Sequence, residues 1–351
     1  MELPNGDTLR GLCQTFALGE GHEPPVAVEG GLQHQMFRLK TKGGDWALKR
    51  LSGRALASSG ALKHFARCEM TARTAAQAGL PAVAAHLAPT GALSQGGEEP
   101  IARTFYQGTD GTYLVYGWEE GEVLPPFSVG ERRAALMGSL LGRLHALDVR
   151  YPDQHAPTPQ ALPPERWREL ARRGRGSQLS WAEDVNAALP RLLAANTQAM
   201  YAGLALQAGW VNGHGDYDQK NVLWRDEETR DDPLILDWEQ SGPWHPAQEV
   251  VGAALGWAGF SIGMTEWPTF AAFLRGYREV APLYEDELLT ASQGVVGKWL
   301  VWLEFNLART LETDITPNER RIASDCAHHA LAMSLTMLDD APTRERWCQL
   351  D

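Results

Sequence analysis

The stretch VNGHGDYDQKNVLW, residues 211–224, constrains this chain more than any other. A short polar loop, residues 214–221, is pinned between apolar residues and followed by the apolar run LILD, which ends at Asp237. Tyr217, Asp218, Gln219 and Lys220 separate Asp216 from Asn221, a spacing long enough to wrap the loop so that both side chains face one cavity. Asp237 then arrives at the end of a buried strand and can face them.

These residue types in this order suit phosphoryl transfer. That chemistry needs a carboxylate to orient and accept from the attacking hydroxyl, hard oxygen ligands for magnesium, and a cation on the phosphates. Asn221 and Asp237 offer the oxygen ligands, which leaves Asp216 to bond a substrate hydroxyl and take its proton. The cation is expected at Lys49 in WALKRL, where strand alternation from Ala47 points both side chains to the inner face. An inward lysine is costly unless it meets an anion, and a nucleoside triphosphate provides one.

With 351 residues, 44% of them hydrophobic, the chain is long enough for a substantial core divided into two lobes. Its formal net charge of -12 argues against a grip on nucleic acid or on an anionic membrane and suits a cationic substrate. Cys13, Cys68, Cys326 and Cys348 lie far apart without a CxxC pair, so neither a zinc site nor a disulfide framework is expected. The N-terminal residues lack the regions of a signal peptide, and no run of about 18 apolar residues occurs, so a cytoplasmic location is expected. Oligomeric state is not legible.

Three strands are expected over residues 26–29, 35–40 and 45–51, with Gly30 and Gly31 at the first turn and Gly43 and Gly44 in the second. A helix over 60–78 should stop at Gly79 and Pro81, and two further strands should cover 101–107 and 112–118. The glycines and prolines of 119–130 mark a linker. Beyond it helices dominate: 131–147, 165–172, and 180–208 with a break at Pro190. Only 222–224 and 234–236 read as strands there. The domain expectation is an N-terminal nucleotide-binding lobe over 1–118, a linker over 119–130, and a helical C-terminal lobe over 131–351 carrying the catalytic loop and acceptor site.

From about Val26 to Gly256 the chain resembles the aminoglycoside phosphotransferase and choline kinase family, relatives of the protein kinases. HGDYDQKN resembles that family's catalytic loop, LILDWE its second metal motif, and WALKR the strand with the phosphate lysine. The resemblance implies an α+β, two-lobe protein-kinase-like fold, with a small antiparallel-sheet N-terminal lobe and a mainly helical C-terminal lobe. ATP or GTP would lie in the cleft, with magnesium bridging the β- and γ-phosphates.

By motif, Asp216 would be the catalytic base, Asn221 and Asp237 the metal ligands, Lys49 the ligand of the α- and β-phosphates, and Glu69 the carboxylate paired with Lys49. LVYGWEEGEVL resembles the inter-lobe hinge, so the backbone of Tyr116, Gly117 and Trp118 would meet the nucleobase, while Gly30 and Gly31 would help cradle the phosphates. The resemblance implies a small-molecule hydroxylated acceptor. An antibiotic-modifying enzyme, a kinase of an amino alcohol or sugar derivative, and a non-catalytic nucleotide-binding module stay open as alternatives. The chain departs from the family where Gln33 and His34 replace a small polar pair. It has no activation segment between Asp237 and Glu249, which disfavours a folded protein substrate.

Overall fold

The computed structural model describes residues 2–21, 23–28, 33–89, 103–156, 158–159, 161–225 and 231–349. The chain divides into two compact units. The first comprises Met1–Leu124, His214–Asp216 and Lys220–Gly242, and the second Pro125–Gly213, Tyr217–Gln219 and Pro243–Asp351. The first unit is therefore discontinuous in sequence, taking in residues 214–216 and 220–242 that the sequence reading assigned to the second lobe.

In the first unit, strands β1 (Val26–Val28), β2 (Gln35–Thr41), β3 (Gly44–Arg50), β4 (Tyr106–Gly108) and β5 (Gly111–Gly117) form an antiparallel sheet in the order β1-β2-β3-β5-β4. Directly opposed residues share a face. Phe37, Leu48 and Val115 stand opposite one another and pack with Leu12 and Phe16 of helix α1 (Gly6–Thr15). Lys49 and Leu114 fall on the other face, where Leu114 packs with Phe65 and Ala66 of helix α2 (Ala61–Gln77). Each such buried Leu or Phe contributes about 1.5–3 kcal/mol.

Helix α2 ends as its sequence suggests. Gly79 turns left-handed at φ 79°, and the Leu80 N–H reaches back to the Ala75 carbonyl at 3.0 Å, satisfying an end carbonyl. Helix α1 was not read from the sequence, because Gly6 and Gly11 weaken its pattern. Asn5 caps it by accepting from the Thr8 N–H at 2.8 Å, and a side chain at Gly11 would overlap the Tyr106 hydroxyl.

A second sheet of the first unit pairs β7 (Val222–Trp224) with β8 (Pro233–Ile235), antiparallel. In the second unit, helices α3 (Gly130–Ala146), α4 (Pro164–Gly176) and α5 (Ala182–Ala205) precede β6 (Val211–Gly213). Helices α6 (Pro246–Trp257), α7 (Trp267–Arg278), α8 (Glu285–Gly294), α9 (Val296–Thr310), α10 (Pro317–Asp339) and α11 (Ala341–Cys348) follow. Pro190 does not break α5 as expected; the helix runs through it. Its packing against both α4 and α8 outweighs the local cost of an interior proline, about 3 kcal/mol. Helices α3 and α7 approach to backbone contact, since a side chain at Gly138 would overlap the Phe273 carbonyl and one at Gly276 the Ala135 carbonyl.

Candidate active site

The β7–β8 hairpin brings Asn221 and Asp237 together within the first unit. Val222 faces Ile235, and one step outward the Leu236 N–H donates to the Asn221 carbonyl at 2.8 Å. Strand β8 is fixed in turn by residues after α2: Ile235 N–H donates to Pro81 at 2.7 Å, and Val83 N–H donates to Ile235 at 2.9 Å. Directly after it, Asp237 takes a left-handed conformation, φ 57° and ψ 62°. A non-glycine residue held there stores about 1–3 kcal/mol of strain, and aspartate tolerates it better than most. The turn delivers the Asp237 carboxylate to the sheet, where Oδ1 lies 2.6 Å from Lys49 Nζ.

The loop before β7 is braced from within. His214 is fully buried; its Nδ1 accepts from the Asp216 N–H at 3.3 Å, so Nε2 carries the proton and donates to the Leu236 carbonyl at 2.9 Å. Its ring packs on Trp238 at 4.7 Å between centroids. The Asn221 amide donates to the Asp216 backbone carbonyl and to its Oδ2, and Lys220 Nζ stands 2.8 Å from the same Oδ2. Four sequence-predicted residues, Lys49, Asp216, Asn221 and Asp237, thus belong to one unit, as does Glu69.

Glu69 does not make the expected pair with Lys49. Both of its oxygens are taken, Oε1 by the Tyr116 hydroxyl and Oε2 by the Ala85 N–H, each at 2.7 Å. Burial pushes the Glu69 carboxyl above the usual carboxylate range despite those bonds and the nearby Lys49 and Arg73. Lys49, 8% exposed, bonds instead to Asp237 and, at 2.7 Å, to Glu239 Oε2. Burial alone would lower the Lys49 ammonium, but the two carboxylates outweigh it and hold the group above its usual value. Burial would likewise raise Glu239, yet His34 and Lys49 hold it at about 2. Sequence reasoning assigned no role to Glu239; its signal was its place two residues after Asp237 in LILDWE.

At the hinge, register separates the three expected residues. The Trp118 N–H donates to the Asp45 carbonyl at 2.9 Å, which makes the Asp45–Trp118 and Ala47–Tyr116 positions the bonded pairs of β3 and β5. Gly117 lies between them, so its N–H and C=O point away from β3, to the side where the Val115 carbonyl accepts from the His86 N–H. Tyr116 sends its side chain to Glu69, and Trp118 stacks under Arg38 at 4.4 Å. The predictions for Gly30 and Gly31 lie outside the described residues.

The donor set fits a hard divalent cation. The Asn221 amide nitrogen is bonded to Asp216, which leaves the Asn221 Oδ1 as an oxygen donor, and Asp237, with Oδ1 on Lys49, keeps Oδ2 on a side chain that is 39% exposed. Within the second unit, Tyr217 donates its hydroxyl to the Met137 carbonyl at 3.1 Å, and its own carbonyl accepts from Trp257 Nε1 at 3.0 Å. Gln219 donates to the Gly256 carbonyl at 2.5 Å. Next to β6, Glu249 Oε2 lies 2.9 Å from His145 Nε2, and the other ring nitrogen of His145 is 2.9 Å from the Tyr277 hydroxyl.

The sequence profile of the phosphotransferase enzyme family matches residues 26–286. The chain belongs to that family. It is a phosphotransferase acting on small molecules, with a hydroxyl as acceptor. Among solved structures this phosphotransferase is similar to a spectinomycin phosphotransferase in complex with ADP and spectinomycin, with a TM-score of 0.64 at 12% identity over 96% of this chain and 99% of that one. A choline/ethanolamine kinase family protein from Mesorhizobium loti gives 0.62 at 16% identity, over 98% and 99%. An amicoumacin kinase in complex with AMP-PNP, Ca2+ and its substrate gives 0.61 at 13%, over 94% of each chain. These likenesses bear out the two-lobe kinase-like fold. No curated protein matches the chain in sequence. No helix among the described residues is long and apolar enough to cross a membrane.

Proposed function

We propose that this phosphotransferase moves the γ-phosphoryl group of ATP or GTP, with magnesium, onto a hydroxyl of an aminoglycoside-like or other hydroxylated antibiotic. The observation that carries the chemistry is the Asn221 amide bonded to Asp216, in the same unit as Asp237 and Lys49. In this reading the Asp216 carboxylate orients the acceptor hydroxyl and takes its proton as the oxygen attacks phosphorus. Lys49 binds the non-transferred phosphates, and the Gly117 backbone meets the nucleobase edge. Asn221 and Asp237 hold magnesium, which when bound neutralises charge on the β- and γ-phosphates. Lys220, already beside Asp216, adds a positive charge where the transferred group arrives.

The net charge of -12 supports a cationic acceptor, and two of the similar structures act on antibiotics by name. The enzyme would work in the cytoplasm, where nucleoside triphosphates are plentiful, and its role would be antibiotic resistance.

The test is triphosphate consumption by the purified protein with magnesium, screened against aminoglycosides, other hydroxylated antibiotics, amino alcohols and sugars. Consumption confined to antibiotics and lost in Asp216→Asn is the expected result. Consumption with an amino alcohol or sugar alone would make this a metabolic kinase. Binding without consumption across the panel would favour a non-catalytic module.

A further inference from the structure

The phosphate lysine of a kinase-like site needs a carboxylate to aim it; Asp237 Oδ1 lies 2.6 Å from Lys49 Nζ but is assigned to the metal, which leaves two candidates, Glu69 and Glu239. Glu69, on α2, has both oxygens committed to buried donors, the Tyr116 hydroxyl and the Ala85 N–H. Turning either oxygen to Lys49 would leave one of those donors buried without its acceptor. Glu239 is committed differently. Its Oε2 lies 2.7 Å from Lys49 Nζ and 2.9 Å from His34 Nε2, so one oxygen serves both groups.

Glu239 is held at both ends. Its backbone carbonyl accepts from His64 Nε2 at 3.0 Å and from the Cys68 thiol at 3.5 Å, both on α2. At the other end His34 stands just before β2 with a side chain 5% exposed. Its Nδ1 accepts from the Ser52 N–H at 3.1 Å, which leaves the ring proton of the neutral form on Nε2, facing Glu239. That contact is close without being aligned as a hydrogen bond. The Phe65 ring meets the imidazole edge-on at 5.9 Å. The imidazole is therefore fixed by Ser52, Phe65 and the carboxylate together.

We propose that Glu239, positioned by His34, takes the place of Glu69 as the carboxylate that orients Lys49 toward the phosphates. The proposal rests on the assignment of Lys49 to the phosphates. Glu239 and His34 are positioning residues in this account, acting on the nucleotide through Lys49.

The experiment is calorimetric titration of the full chain, with magnesium, using a non-hydrolysable triphosphate analogue and the matching nucleoside monophosphate. Variants are Glu239→Gln, His34→Ala, His34→Gln, Glu69→Gln and Lys49→Met, each checked by thermal melting. We expect Glu239→Gln and His34→Ala to weaken the triphosphate about tenfold or more, with monophosphate affinity unchanged, because only the orientation of Lys49 is lost. The glutamine amide can still donate toward Glu239, so His34→Gln should recover to within about threefold of the parent. Glu69→Gln should cost at most a tenth of the loss in Glu239→Gln. A merely structural fault would move both ligands together and overturn the proposal, as would Glu69→Gln matching Glu239→Gln or His34→Ala binding like the parent. Unchanged triphosphate binding in Lys49→Met would instead overturn the assignment of Lys49 itself, and the proposal with it.

Discussion

The side-chain amide of Asn221 donates both to the backbone carbonyl of Asp216, at 2.8 Å, and to its carboxylate, at 3.0 Å. The residue proposed to hold the metal therefore also orients the proposed base. Asn221→Ala should remove both functions, lowering kcat by about 10²–10⁴ and raising the magnesium concentration at half-maximal rate. Steady-state rates across a magnesium titration check this, and a lowered kcat with an unchanged magnesium midpoint would separate the two roles.

Asp216→Asn should bind triphosphate like the parent while kcat falls by about 10²–10⁴, since only proton transfer and hydroxyl orientation are lost. Comparable turnover in single-turnover assays would remove Asp216 from the base role.

Gly276 has no room for a side chain against the Ala135 carbonyl, so Gly276→Ala must push α3 and α7 apart. A loss of about 1–3 kcal/mol is expected in urea denaturation. Because Tyr217 bonds to the Met137 carbonyl on α3, the same variant should lower kcat more than it weakens nucleotide binding.

Glu69 gives a pH prediction whose sign follows from its raised carboxyl pKa, caused by burial. A group whose folded pKa lies above its unfolded value contributes stability at acid pH and loses that contribution as pH rises through the folded value. Glu69→Gln removes the titration, and glutamine can accept from Ala85 while donating to a reoriented Tyr116 hydroxyl. The melting temperature of the variant relative to the parent should therefore be higher at pH 7 than at pH 4. The opposite trend would show that the native state favours the ionised carboxylate.

Strands β1, β2, β3 and β5, α2 and the β7–β8 hairpin were legible because their signals are local: alternation in QMFRLKT, the Gly79 stop, and apolar triplets around a polar loop. The strand expected over 101–107 was not, since residues 103–104 are helical and β4 covers only Tyr106–Gly108. The runs that carry Asp216, Asn221, Asp237 and Lys49 are short and local too, and the structure places all four residues in the first unit. The partner of Lys49 was not legible. Whether a buried lysine meets Glu69 or Glu239 depends on what else competes for each carboxylate, and the Tyr116 hydroxyl and Ala85 N–H that occupy Glu69 come from elements 47 and 16 residues away. Pro190 misled for a related reason, since local propensity gave way to packing on both sides of α5. Residues 116–118 show the same limit: which of their backbone groups points away from β3 depends on the register of β5 on β3, which no local signal carries.

The discontinuity of the first unit has a consequence for biosynthesis. Its opening segment ends at Leu124, while the last segment that completes it ends with Gly242, about 120 residues later. At roughly 5–20 residues per second, a nascent chain carries the incomplete first unit for about 6–24 s before Pro81 and Val83 can meet Ile235. During that interval the backbone of Pro81 and Val83 waits for its partner strand, so slower codons before residue 211 should prolong the unpaired state and slower codons after residue 242 should give the completed unit time to close.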